Sequence, residues 1–185
     1  MQLFLLVSSL LTLGLQFNAE VFIYLQSLIL QQPWRILTAH WVHVGWIHCV
    51  MNLLALWCLP LIFPEVKTKQ LLVASIVLPI FLSLNFYLIY PNLHGYAGFS
   101  GVLHGLYTLA GLNSLKHFKT GKFALIVLIG IIFKLLGEVY WSEYSMTAQL
   151  IGHAVFIQAH QWGAVFGAML YLIFQQSNQH TLLTK

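Results

Sequence analysis

The stretch Gly98-Phe99-Ser100-Gly101-Val102-Leu103-His104-Gly105 decides how the chain is read. It stands where an irregular segment, Pro91 to Ala97, gives way to an apolar run. Pro91, Gly95 and Gly98 punctuate the approach. Val102, Leu103, Leu106, Leu109 and Leu112 then continue apolar for several turns. Ser100 is therefore predicted in the first turn of a helix that enters a membrane. A hydroxyl between two glycines has two readings there. One is a helix cap followed by close helix packing; the other is a site whose backbone something must approach closely.

Composition favours the membrane. Of 185 residues, 59% are hydrophobic and 6% are charged, against about 25% charged in soluble domains. An all-α polytopic membrane protein is expected, with residues 1–185 forming one domain. The acids are Glu20, Glu65, Glu138 and Glu143, and aspartate does not occur. This excludes a paired-aspartate intramembrane protease and argues against a carboxylate-rich ion site. The net charge of +4 is scattered over loops and is no nucleic-acid signature. Cys49 and Cys58 fall on one predicted helix, about 13.5 Å apart along its axis. That is too far for a disulfide, and both are expected as small buried hydrophobes.

Apolar length gives six spans, at about 2–17, 43–63, 70–90, 98–116, 122–141 and 154–175. The first lacks preceding basic residues and a clear cleavage site, so it reads as a retained span. Val21 to Leu30 is too short to cross and reads as an interfacial or re-entrant helix ended by Pro33. Lys67, Lys69, Lys116, Lys119, Lys122 and Lys185 lie on one side of this bundle and Arg35 on the other. The asymmetry places both termini in the cytoplasm. Lys134 and Glu138, inside the fifth span, read as an i,i+4 pair.

In this orientation the first halves of spans two, four and six share one outer depth. They hold His43, His48, Asn52, Ser100, His104, His153, Gln158 and His160, while spans three and five contribute little. Polar groups inside lipid are costly and usually functional. Span two follows Trp34-Arg35-Ile36-Leu37-Thr38 and carries His48 and Asn52 one turn apart on one face. Span six contains Ala159-His160-Gln161-Trp162-Gly163 and, four residues on, Gly167. The spacing of Gly163 and Gly167 matches that of Gly101 and Gly105, and such faces let helices approach closely. Spans four and six are therefore expected to touch, bringing Ser100 to His160.

A serine hydroxyl needs an adjacent base, and His160 is the candidate. Acyl transfer also needs donors for the developing oxyanion. His48, Asn52 and the Ser100 N–H are the candidates. None of the four glutamates belongs to these patterns, so a dyad is expected rather than a triad.

Together, the three patterns resemble those of the rhomboid intramembrane serine proteases, over roughly Trp34 to Leu170. The resemblance implies a six-transmembrane-helix rhomboid-like bundle with Ser100 as nucleophile, His160 as base, and His48 and Asn52 at the oxyanion. It also implies a structural His43 and places Trp34-Arg35 in a loop lying partly in the outer leaflet. Many rhomboids carry a tyrosine four residues after the serine, stacked on the catalytic histidine; here His104 stands in that place. That substitution leaves His104 as a rival base. The Gly-Phe-Ser-Gly-Val-Leu-His-Gly run, the Trp-Arg-x-Leu-Thr-x-His-x-x-His run and the compact size look like the rhombosortase branch. That likeness implies membrane-anchored protein substrates with a C-terminal tail of a Gly-Gly motif, a transmembrane segment and basic residues, in a bacterial inner membrane. The active site would open to the periplasmic side. No metal, cofactor or nucleic acid is implied.

Other readings are a general rhomboid protease, a non-proteolytic rhomboid-like chaperone or trafficking factor, and a metal or haem protein using the histidines. Against the last, there is no His-Glu-x-x-His run. His40 is expected at a loop or interface, and His94 and His153 in solvated outer loops. His117 and His180 fall on the cytoplasmic side.

Overall fold

The computed structural model describes residues 1–140 and 146–183, without the side chains of residues 146, 147 and 178–183. Glu143, Lys185 and the side chain of His180 lie outside the described residues. The architecture is mostly helical. In chain order it runs α1 (Gln2–Gln16), α2 (Ala19–Phe22), β1 (Tyr24–Leu25), α3 (Arg35–Thr38), α4 (Trp46–Ile62), α5 (Thr68–Ile89), β2 (Gly95–Tyr96), α6 (Ser100–Ser114), α7 (Gly121–Tyr140), α8 (Met146–Ile151) and α9 (Ile157–Leu183).

Each of the six predicted spans overlaps one helix, in order α1, α4, α5, α6, α7 and α9, and α9 runs eight residues past the predicted end at 175. Among the described residues, α5 and α7 are long and apolar enough to cross a membrane, while α1 and α4 are apolar but shorter. Six crossings are therefore not established by length. The short α6 has a physical reason: its 15 residues rise about 22 Å, less than the ~30 Å hydrocarbon core. It has no need to match lipid, because α4, α5, α7 and α9 surround it. Val102, Leu106, Leu109 and Ala110 on it are fully buried. The reverse holds for α7, whose Ile126, Ile132 and Phe133 point outward and are more than half exposed. Apolar surface on that scale marks a face made for lipid or a partner.

One seam sets the centre of the bundle. A Cβ added at Gly101 would lie 2.9 Å from the Ala159 carbonyl oxygen, and one at Gly105 would lie 2.7 Å from that of Gly163. Added at Gly163 or Gly167, it would overlap the carbonyls of Gly101 and Gly105. The backbones of α6 and α9 thus touch directly, as the glycine spacing predicted.

The segment after α1 departs from expectation. Val21 to Leu30 is not one interfacial or re-entrant helix. After α2, Tyr24 and Leu25 pair antiparallel with Tyr96 and Gly95, and a single 3₁₀ turn follows at Gln26–Leu28. The reason is tertiary: Tyr24 is fully buried, its ring meeting Phe86 edge-on at 5.9 Å. The pairing also ties the first loop to the strand that leads into Ser100. Cys49 is buried, but Cys58 is exposed, contrary to the expectation for both.

Candidate active site

The turn before Ser100 is held from three directions. Gly98 has φ +146°, a conformation that side chains resist. Its N–H donates to the Ala39 carbonyl at 3.1 Å, and its carbonyl accepts the Tyr96 hydroxyl at 2.7 Å. The Phe99 N–H donates to His43 Nε2 at 3.3 Å. His43 is fixed in turn by Gln16, whose side-chain amide donates to the His43 carbonyl at 2.9 Å and accepts its N–H at 2.8 Å. Ser100 then opens α6, where the first N–H groups of a helix lack intrahelical partners.

Across the glycine seam stands His160, 2% exposed, with Nε2 2.9 Å from Ser100 Oγ. Sixty residues separate them in sequence; Gly101 against Ala159 brings them together. His104 lies one turn below Ser100, its ring stacked on that of His160 at 4.3 Å and 17°. Its Nδ1 is 2.7 Å from the Ser100 carbonyl. A carbonyl only accepts, so Nδ1 carries the proton and Nε2 is the acceptor. That Nε2 faces Lys134 Nζ at 3.2 Å. Both ring nitrogens of His104 are engaged away from the Ser100 hydroxyl.

The expectation that no glutamate belongs to the site is overturned. Glu138 on α7 reaches His160 Nδ1, with Oε2 at 2.8 Å and Oε1 at 3.0 Å. It is 7% exposed and also paired with Lys134 on its own helix. The fifth span, expected to contribute little, supplies two charged groups. The available signal was the pair itself: two ionisable residues inside an apolar span are costly and seldom only structural.

His48 and Asn52 reach the same place from α4. A Cβ at Gly98 would meet His48 Cε1 at 2.8 Å and lie 3.8 Å from Ser100 Oγ, so the His48 ring edge occupies the space beside the serine. Asn52 Nδ2 donates to the His48 carbonyl at 3.1 Å, leaving its second N–H. A cavity of about 320 Å³ opens beside these groups, lined by Ser100, His160, His48, Asn52 and Lys134 and by apolar residues such as Met51 and Ile131. Among the described residues no three His, Cys, Asp or Glu side chains converge as metal ligands.

Trp34 and Arg35 are not in the cavity. Arg35 is 5% exposed and donates to the carbonyls of Ile23 at 2.6 Å and Glu20 at 3.2 Å and to Gln32 Oε1 at 2.6 Å. The Trp34 indole donates to the Val21 carbonyl at 3.4 Å. Both staple the first loop onto α3. His40, expected at a loop or interface, is fully buried and bonded to Ser83 Oγ at 3.0 Å. Its place is forced by ring contacts with Phe86 and Tyr96 at 6.0 and 5.2 Å. His94 and His153 are exposed.

Apolar helices here surround the half-buried Ser100 and His104, the buried His48 and His160, and the Lys134–Glu138 ion pair. A rhomboid domain model matches residues 30–177, most of the chain, and the chain belongs to the rhomboid family. Members of that family are generally intramembrane serine proteases that act on membrane proteins within the bilayer. No curated protein matches the chain significantly.

Proposed function

We propose that this chain is an intramembrane serine endopeptidase with Ser100 as nucleophile and His160 as general base. The observation that carries the reading is the 2.9 Å contact between Ser100 Oγ and His160 Nε2, made at a backbone seam and beside a cavity. The Ser100 oxygen attacks a substrate carbonyl while its proton passes to Nε2. Electrons of the C=O bond move onto oxygen, which His48, Asn52 and the Ser100 N–H stabilise. The tetrahedral species collapses, the imidazolium returns the proton to the leaving amine, and the acyl group stays on Ser100 until water or an amine resolves it.

The chain is one domain of six spans, with the lysine-bearing loops and both termini cytoplasmic and the cavity toward the periplasmic side of a bacterial inner membrane. The glycine-flanked serine and the run from Trp34 to His43 favour a rhombosortase substrate: a C-terminal Gly-Gly motif, a transmembrane segment and a basic tail. The size and apolar lining of the cavity favour a second reading, a general rhomboid protease, since a glycine needs far less space. Co-expression of wild type and Ser100→Ala with exported proteins carrying such tails tests both. Mass spectrometry of the released C-termini is expected to place the cut at the Gly-Gly motif in wild type alone. Identical products from the two forms would sink the mechanism. Cleavage dependent on Ser100 but elsewhere in membrane segments would transfer the assignment to the general protease.

A further inference from the structure

We infer that Glu138 is a positioning residue for His160 and that Lys134 clamps it, so that the site is a linked Ser100–His160–Glu138 array rather than a pair. The inference rests on the serine-protease reading above. Four contacts carry it. Glu138 meets His160 Nδ1 with both carboxylate oxygens, at 2.8 and 3.0 Å. Lys134 Nζ reaches Glu138 Oε1. The same Nζ lies 3.2 Å from His104 Nε2. The His104 ring lies flat against His160 at 4.3 Å.

Hydrogen-bond inventory turns these contacts into a protonation pattern. An ionised carboxylate only accepts, so His160 Nδ1 must carry a proton. The neutral ring then presents a lone pair at Nε2, the atom facing Ser100, and that is the tautomer a general base requires. When Nε2 takes the serine proton, the imidazolium forms beside a carboxylate already in place. Lys134 gives the carboxylate its reason to be ionised in an apolar setting, because an unpaired buried charge is costly. The ammonium also donates to His104 Nε2, whose Nδ1–H is committed to the Ser100 carbonyl. One cation thereby fixes both partners of the ring stack. The charged and titratable groups facing His160 are Glu138 and Lys134 on α7, His104 on α6 and His48 on α4.

The test uses the full chain in detergent micelles and a fluorophosphonate probe. Ser100 Oγ forms a bond to phosphorus, the P–F bond breaks, the serine proton goes to His160 Nε2 and fluoride leaves. Wild type is expected to label at Ser100, with Ser100→Ala unlabelled. Glu138→Gln is expected to label more slowly by on the order of 10²–10⁴-fold, as when a neutral amide replaces a tautomer-setting carboxylate. In parallel, ¹⁵N and ¹H NMR of histidine-labelled wild type is expected to show His160 protonated at Nδ1 with a strongly deshielded proton, lost in Glu138→Gln. Labelling of Glu138→Gln at the wild-type rate would overturn the inference. An Nε2-protonated neutral His160 in wild type would do so too, without relying on the variant to fold. Equal labelling of Ser100→Ala and wild type would instead strike the serine-protease reading, so the two failures are distinct.

Discussion

Gly163→Ala is the most direct test of what sets the distance between Ser100 and His160. A Cβ at Gly163 would overlap the Gly101 carbonyl oxygen and lie 2.8 Å from its carbon. Carbon atoms rest about 3.5–4.0 Å apart. The clash is backbone against backbone, so no side chain can yield, and α6 and α9 must separate by on the order of 1 Å. The Ser100 Oγ–His160 Nε2 distance, 2.9 Å, then lengthens to about 3.9 Å, beyond hydrogen-bond range. A misplacement of about 1 Å can cost ~10² in rate.

The cost in stability is partly offset. Alanine gains up to about 1 kcal/mol over glycine in a helix interior, which offsets part of the roughly 1–3 kcal/mol cost of overpacking. Fluorophosphonate labelling should therefore fall about 100-fold while the thermal midpoint in detergent shifts modestly. Gly130→Ala on α7 is the control, since nothing lies within 4 Å of its added Cβ. It should label normally. Labelling of Gly163→Ala within twofold of wild type would refute the argument that the glycine seam sets the pair.

Arg35→Lys should destabilise by about 2–4 kcal/mol, since a single ammonium cannot reproduce three converging bonds from a buried guanidinium; thermal unfolding reads it, and an unchanged midpoint counts against the staple. Gly98→Ala should cost about 1–3 kcal/mol from its φ alone, and the contact with His48 should slow labelling as well. A variant that labels at full rate would show that the turn tolerates a side chain. Burial pushes the His40 imidazole down from 6.5 to about 3. As pH falls from about 6.5 toward 3, the unfolded chain therefore binds a proton the folded chain refuses, and stability declines. Replacing His40 with glutamine, which cannot titrate, should flatten that part of the stability–pH curve; an unaltered slope would exclude His40 as its source.

How far the sequence could be read depended on whether a constraint was local. The helices were legible because each is marked by its own apolar run, although among the described residues only α5 and α7 have the length and apolarity to cross a membrane. The meeting of Ser100 and His160 was legible because Gly101, Gly105, Gly163 and Gly167 record a close approach in two spacings that match. Glu138 was hidden by its own helix: Lys134 one turn away already accounts for it, and spacing along α7 says nothing of a neighbour on α9. The segment from Val21 to Leu30 departs from its sequence expectation for a related reason. Its apolar residues suit an interfacial helix as well as a buried loop, and the choice is made by Tyr96 and Phe86, far off in the chain.

These differences in reach also describe how the site is built. Ser100 and His160 are set by touching backbones, which have little room to adjust. Glu138 reaches them only through a side chain, from a helix whose Ile126, Ile132 and Phe133 face outward. A small displacement of α7 would lengthen the contact between Glu138 and His160 while leaving the α6–α9 seam intact. The carboxylate would not be stranded, because Lys134 travels with it on the same helix. Retreat of α7 thus carries no large penalty for an unpaired charge. The hydrogen bond to His160 Nδ1 is the feature of the site most directly set by where α7 stands.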